Sequence, residues 1–202
     1  MPIFHDTDDF WECNKLLFHL NDSYHHDNWK RDLAKMGQEP FARPKFWPPR
    51  DPLVCICAYT LHSNHFHLLI KEIEEGGLTH FMLRLPKVLT IRYNKKYGGS
   101  GSIFQGPYQS RFIESTADLR NVSLYIMGKN VMERFPEGGI DAACFDFERA
   151  WEWALNDEFS SFPEYGNNRN SPIIDADIVG ELWRSSDEFK KEVKAYIQQR
   201  IN

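Results

Sequence analysis

The stretch Leu53-Val54-Cys55-Ile56-Cys57-Ala58-Tyr59-Thr60-Leu61-His62-Ser63-Asn64-His65-Phe66-His67-Leu68-Leu69-Ile70-Lys71-Glu72-Ile73 decides the fold. Leu53–Leu61 is apolar, β-branched or small throughout and reads as a buried strand. His62-Ser63-Asn64 is a tight turn. His65–Ile73 alternates well enough for a second strand, so the two make a hairpin, and Gly76-Gly77 breaks it. Residues two apart on a strand project from the same face. His65 and His67 therefore stand side by side while Phe66 turns toward the core. Two neutral imidazoles on a rigid hairpin suit a divalent metal if one more ligand is found. A solvated histidine pair on a strand face fits the same pattern.

Outward from the hairpin, Asp6–Leu20 reads as a helix capped by Asp6 or Thr7, with Phe10, Leu17 and Leu20 in its apolar face. A charged stretch runs to Gly37. Gln38–Pro52 holds Pro40, Pro44, Pro48, Pro49 and Pro52 and is an extended loop, because proline fixes φ and lacks the N–H a ladder needs. Leu78–Tyr97 repeats apolar residues at helical spacing, and Pro86 should kink that helix or set its start later. Gly98–Ser102 is a flexible loop. Ile103–Glu114 reads as a strand or hairpin interrupted by Gly106-Pro107. Ser115 caps a helix from Thr116 to about Val131, with Asp118 in its first turn. Gly138-Gly139 closes this unit. The rest is acidic and aromatic, with a short helix around Trp151, a polar loop at Tyr165–Ser171 and a last helix from Ser185 or Asp187 to Ile201. No internal repeat is visible.

The chain has 202 residues, 42% hydrophobic and 14% aromatic, which excludes global disorder. No apolar run approaches the roughly 20 residues of a membrane span. The N-terminal residues do not read as a secretory signal. Cys13, Cys55, Cys57 and Cys144 do not form a disulfide framework, and reduced thiols in a cytoplasmic protein are expected. The net charge of −5 argues against nucleic acid only until it is divided by region. Between Met82 and Arg111 lie Arg84, Lys87, Arg92, Lys95, Lys96 and Arg111 with no acidic residue, whereas the segment from Asp141 onward carries thirteen acidic and seven basic residues. A phosphate backbone responds to the local basic stretch rather than to the total.

His62-Ser63-Asn64-His65-Phe66-His67-Leu68-Leu69 resembles the MPNHxHLL signature of the single-tyrosine HUH transposases, especially the REP-associated tyrosine transposases. Pro2-Ile3-Phe4-His5-Asp6 resembles the family's approach to its first helix. Phe104-Gln105-Gly106-Pro107-Tyr108-Gln109-Ser110-Arg111 resembles its FQGRYKS-like strand, and Leu124-Tyr125-Ile126 followed by Asn130 resembles its YIxxNP helix. The blocks occur in the family's order over residues 1–139. The resemblance implies an α+β fold with a ferredoxin-like antiparallel sheet and helices on one face over 1–139; the residue pattern beyond it reads as an acidic, mostly helical extension at 140–202. The resemblance also implies a transposase that nicks and rejoins single-stranded DNA beside a hairpin, with Tyr125 as nucleophile and a 5′-phosphotyrosine intermediate. His65 and His67 are then ligands of Mg2+ or Mn2+, and His62 stands behind them. Arg84, Lys87, Arg92, Lys95, Arg111 and Lys129 are the expected DNA contacts, and a homodimer is a candidate assembly.

The sequence departs from the family in two places. The third metal ligand is usually Gln or Asn four residues after the tyrosine; here that residue is Lys129, and Asn130 is five after. On a regular helix the fourth residue lies about 40° around from Tyr125 and the fifth about 140°. Asn130 is the expected third ligand only if a π-bulge near Gly128 restores the register or the helix ends early. Otherwise Lys129 contacts phosphate, while water or DNA completes the metal shell. Relatives also carry a central strand before the first block, which would leave two strands here without their middle partner. A truncated start, or replacement of that strand by another segment or subunit, is expected. The leading function is DNA nicking and joining. A catalytically inactive or domesticated DNA-hairpin-binding protein is the alternative, and a metal-binding protein unrelated to DNA is the third reading.

Overall fold

β1 (Val54–Leu61) and β2 (Phe66–Glu72) pair antiparallel in a two-stranded sheet. The structure, a computed structural model, describes residues 2–24, 28–35, 39–183 and 185–199. Every residue of β1 is buried, which explains its unbroken apolar sequence: both faces are covered, so nothing favours alternation. β2 is mostly half-buried, Phe66 included. The fold class is α+β, with helices packed around this sheet and a mostly helical C-terminal part. The described chain forms two compact units. One contains residues 5–55 and 71–109, and the other contains residues 2–4, 56–70 and 110–199.

In the first unit, α1 (Thr7–His19) begins where Asp6 accepts a hydrogen bond from the Asp9 N–H, the expected cap. Cys13, Leu16 and Leu17 form its buried face. α2 (Trp29–Ala34) is a short helix, and α3 (Gly77–Tyr97) packs against α1. Gly77 is required at the start of α3, because a Cβ there would come within 2.3 Å of the Leu53 carbonyl oxygen. The Asn21 amide pairs with the start of β1, donating to the Val54 carbonyl at 2.8 Å and accepting from the Val54 N–H at 3.0 Å. It behaves as a one-residue strand and satisfies both main-chain groups.

The second unit contains α4 (Thr116–Ser123), capped by the Ser115 hydroxyl, then a π-helix (Leu124–Lys129) and α5 (Asn130–Met132). Next come α6 (Gly139–Phe145), α7 (Phe147–Ala154), α8 (Phe162–Gly166), α9 (Asp177–Gly180) and α10 (Ser186–Gln198). α10 packs along the π-helix through a face containing Phe189, Val193 and Ile197. Trp151, Phe162, Tyr165 and Trp183 cluster around Phe189, with ring centroids 5.4–5.9 Å from it. Residues 140–199 therefore share a core with 110–139.

The same C-terminal part covers the outer edge of β1. The Leu61 N–H donates to Phe159 O, the Ser161 N–H to Tyr59 O, and the Tyr59 N–H to Ser161 Oγ, each at 2.9 Å. The Tyr165 hydroxyl reaches Cys57 O at 2.6 Å, and the Asp175 N–H reaches Ile56 O at 3.1 Å. The segment 159–175 thus satisfies these buried main-chain groups on the edge of β1.

Several local expectations are corrected. Ile103–Glu114 contains no strand. Phe112 is 92% exposed and Tyr108 43%, so the segment lies in solvent without a ladder to join. The sheet among the described residues has two strands rather than a ferredoxin-like set of four. α3 starts before Pro86 and runs through it, so the proline does not set the helix start. The expected boundary at Gly37–Gln38 and the helix end at Ile201 lie outside the described residues. Among those residues no helix is long and apolar enough to cross a membrane.

Candidate functional site

The hairpin tip is held at two points within its own unit. The His62 N–H donates to His65 O at 2.8 Å and closes the turn. Ser63 O accepts from the Ile3 N–H at 2.7 Å and the Phe4 N–H at 2.9 Å, so the Pro2–Phe4 segment pins the tip from outside. The His62 and His65 rings stack with centroids 4.4 Å apart and planes 9° from parallel. The His67 ring meets His65 edge-on at 5.0 Å. It also meets the Tyr125 ring edge-on at 5.4 Å. Two imidazoles and a phenol separated by nearly sixty residues in sequence are thus neighbours in space.

Tyr125 reaches this place on the π-helix. There the Asn130 N–H donates to Tyr125 O, a bond five residues long that replaces the usual four. The buried Thr60 hydroxyl donates to Ile126 O at 2.6 Å and fastens the π-helix to β1. Gly128 lies under α10, where a Cβ would stand 3.4 Å from Val193.

All three histidines are held neutral at pH 7. Burial lowers the pKa of His62 to about 4, helped by repulsion from His65, Arg134 and His67 and opposed by Glu133. Burial also lowers His65 and, together with the His65 charge, His67; Glu133 opposes both shifts. Asn64 Oδ1 lies 2.7 Å from His65 Nδ1 and can only accept, so Nδ1 carries the proton and Nε2 keeps its lone pair. A neutral imidazole with one nitrogen fixed as donor is a suitable metal ligand.

The π-turn brings Asn130 one turn above Tyr125; Asn130 is 2% exposed and its amide nitrogen donates to Tyr125 O at 2.9 Å, a bond that leaves Oδ1, the atom an Asn ligand would use, uncommitted by it. It completes the backbone bonding of the π-helix. Among the described residues no group of three His, Cys, Asp or Glu side chains is arranged to hold a metal. The donors that fit a divalent cation are His65 and His67. Paired imidazoles suit Mn2+ better than the harder Mg2+, which prefers oxygen ligands.

The expected DNA contacts separate into two groups. Arg84, Lys87, Arg92 and Lys95 lie on α3 in the first unit. The half-buried Arg84 guanidinium donates to Asp22 O at 2.8 Å, and Phe81 and Leu85 on the same helix are buried. Arg92 pairs with Glu12 at 2.8 Å, while Lys87 and Lys95 are exposed. In the second unit, Arg111 makes a two-pronged pair with Asp118 at 2.8 Å. Lys129 Nζ lies 5.3 Å from the Tyr125 ring centroid and is ion-paired with Glu133.

Sequence reading missed Glu133 and Arg134. Glu133 acts electrostatically on all three histidines and anchors Lys129. Arg134 is held by the buried Asp157 carboxylate, and its charge acts on His62. The four-residue spacing from Lys129 to Glu133 is the one sequence signal for the first of these.

Comparison of the chain with protein-family models, with curated proteins and with solved structures finds no match.

Proposed function

We propose that this chain nicks and rejoins single-stranded DNA at hairpin-flanked sites through a covalent tyrosine intermediate. The observation that carries the reading is the edge-on contact between Tyr125 and His67 beside His65. In the forward step Tyr125 Oη bonds to phosphorus, the phosphorus–O3′ bond breaks, and the released oxygen takes a proton to become a 3′-OH. The 5′-phosphate stays on the tyrosine. A 3′-OH then displaces the phenol oxygen, exchanging one phosphodiester for another, so no external energy source is needed.

A phenol is weakly nucleophilic at neutral pH and benefits from a nearby positive charge. The Lys129 ammonium over the ring stabilises negative charge forming on Oη and can pass to a phosphate oxygen when a strand enters. Glu133 holds that ammonium in place beforehand. His65 and His67 would hold Mn2+ or Mg2+, and the bound cation supplies charge neutralisation at the scissile phosphate. The described protein donors leave positions on that cation for water and DNA oxygens.

The experiment is incubation with labelled hairpin-bearing single-stranded DNA and Mn2+, followed by denaturing electrophoresis. The wild-type protein should form a covalent adduct and Tyr125→Phe none. An adduct that survives Tyr125→Phe removes the nucleophile assignment. The second reading, hairpin binding without cleavage, is favoured by Lys129 standing four residues after Tyr125, where the resemblance implies Gln or Asn; tight binding with no adduct in any divalent cation would establish it over the first.

A further inference from the structure

The first unit contains a cavity of about 350 Å³ bounded by α1, α2, α3 and the segment around Pro40. Glu12, Lys15, His19, Trp29, Lys30 and Arg92 line it. The volume is at the small end of ligand sites, which run from about 300 to 1,000 Å³. It is sized for a small ligand rather than a folded segment.

The chemistry of the walls is mixed in an informative way. Glu12 serves two cations, Arg92 at 2.8 Å and Lys15 at 3.6 Å. Lys30 makes no ion pair among the described residues; its ammonium lies 5.4 Å from the Trp29 ring centroid. Burial lowers its pKa; Glu12 opposes that shift, while the charges of Arg92 and Lys95 add to it. The two cations that line the cavity there, Lys30 and Arg92, therefore gain from an anion beside them. His19 adds an unused acceptor. It is 8% exposed, its Nε2 lies 3.0 Å from Pro40 O and must donate there, and its Nδ1 has no hydrogen-bond partner among the described residues. An indole, a cationic cluster and an orphaned acceptor in one cavity match a base and its phosphate together. Inorganic phosphate would use only the cations, and an apolar ligand only the indole.

We propose that this cavity binds one nucleotide unit, with the phosphate on Lys30 and Arg92 and the base against Trp29, and that a single DNA strand supplies it. The inference rests on the proposed DNA chemistry only in naming the strand as the source. Stacking on an aromatic side chain contributes enough that its removal costs roughly tenfold in affinity. Removing one cation that neutralises a phosphate of a single strand lowers the log–log slope of affinity against salt by about 0.7.

The test is fluorescence anisotropy with a dye-labelled oligothymidylate that forms no hairpin, without divalent metal, on the full chain. Thermal melting accompanies each variant. Trp29→Ala should weaken binding about tenfold, and Lys30→Glu should weaken it and lower the salt slope. Thymidine monophosphate should compete. Unchanged oligonucleotide binding in both variants overturns the proposal, as does failure of the wild-type chain to bind either probe. Binding of the mononucleotide without the oligonucleotide overturns the strand as source. Adduct formation at Tyr125 is read separately with hairpin DNA. An adduct in the wild type alongside unaltered oligonucleotide binding in the variants sinks the cavity proposal and leaves the nicking reading intact. Loss of oligonucleotide binding in the variants with no adduct in the wild type does the reverse.

Discussion

Thr60→Val tests the connection on which the site depends. Thr60 is fully buried on β1, and its hydroxyl donates to Ile126 O, itself in a residue 4% exposed, at 2.6 Å. Valine preserves shape and removes the donor. Leaving a buried carbonyl short of a partner costs about 1–3 kcal/mol. For a chain of this size each kcal/mol moves the melting temperature by about 2–4 °C, so a fall of roughly 4–8 °C is expected for a loss of about 2 kcal/mol. Calorimetry measures that fall. Hydrogen exchange locates it: the amides of Gly128, Lys129 and Asn130 should lose protection more than those of α7. Because the bond joins the strand leading to His62 to the helix bearing Tyr125, adduct yield should fall as well. An unchanged melting temperature, or uniform loss of protection across the unit, would refute the claim that this bond holds the π-helix against the hairpin.

Two other perturbations have defined outcomes. His19 is buried, with its pKa lowered from 6.5 to about 4, so on acidification the unfolded chain takes the proton first and stability is lost as pH falls through that window. His19→Asn should remove about 2 kcal/mol of the stability loss between roughly pH 7 and 5, measured by urea unfolding at both pH values; equal losses in the two proteins would contradict it. Asp157→Ala removes the buried carboxylate that pairs with Arg134 and also accepts from the Phe159 N–H at 3.2 Å. Stranding the guanidinium should cost about 3 kcal/mol, and a loss below about 1 kcal/mol in the same assay would show that Arg134 finds water or another acceptor.

The hairpin was legible because its information is local. A continuous apolar run, a turn and an H-x-H pair specify two strands and the common face of His65 and His67 without reference to any other element. Helix caps were legible for the same reason: Asp6 and Ser115 each accept from an N–H three residues on. Ile103–Glu114 was misread because its apolar residues resemble a strand, whereas a strand exists only if another edge receives it. The bond from Arg84 to the Asp22 carbonyl was not legible, because a basic residue on a helix has the same sequence appearance whether its head meets solvent or a main-chain oxygen. The π-turn could be inferred from the spacing, but engagement of the Asn130 amide by Tyr125 O could not.

The sequence by itself determined the residue types available for chemistry and the pairing of His65 with His67, since strand periodicity is a property of adjacent residues. The tertiary structure alone decided that Tyr125 meets that pair, that Lys129 and Glu133 flank it, and that residues 159–175 complete the edge of β1. Those outcomes depend on which distant groups satisfy a buried hydrogen bond or charge. Such demands are set by burial, and burial exists only once the chain has packed.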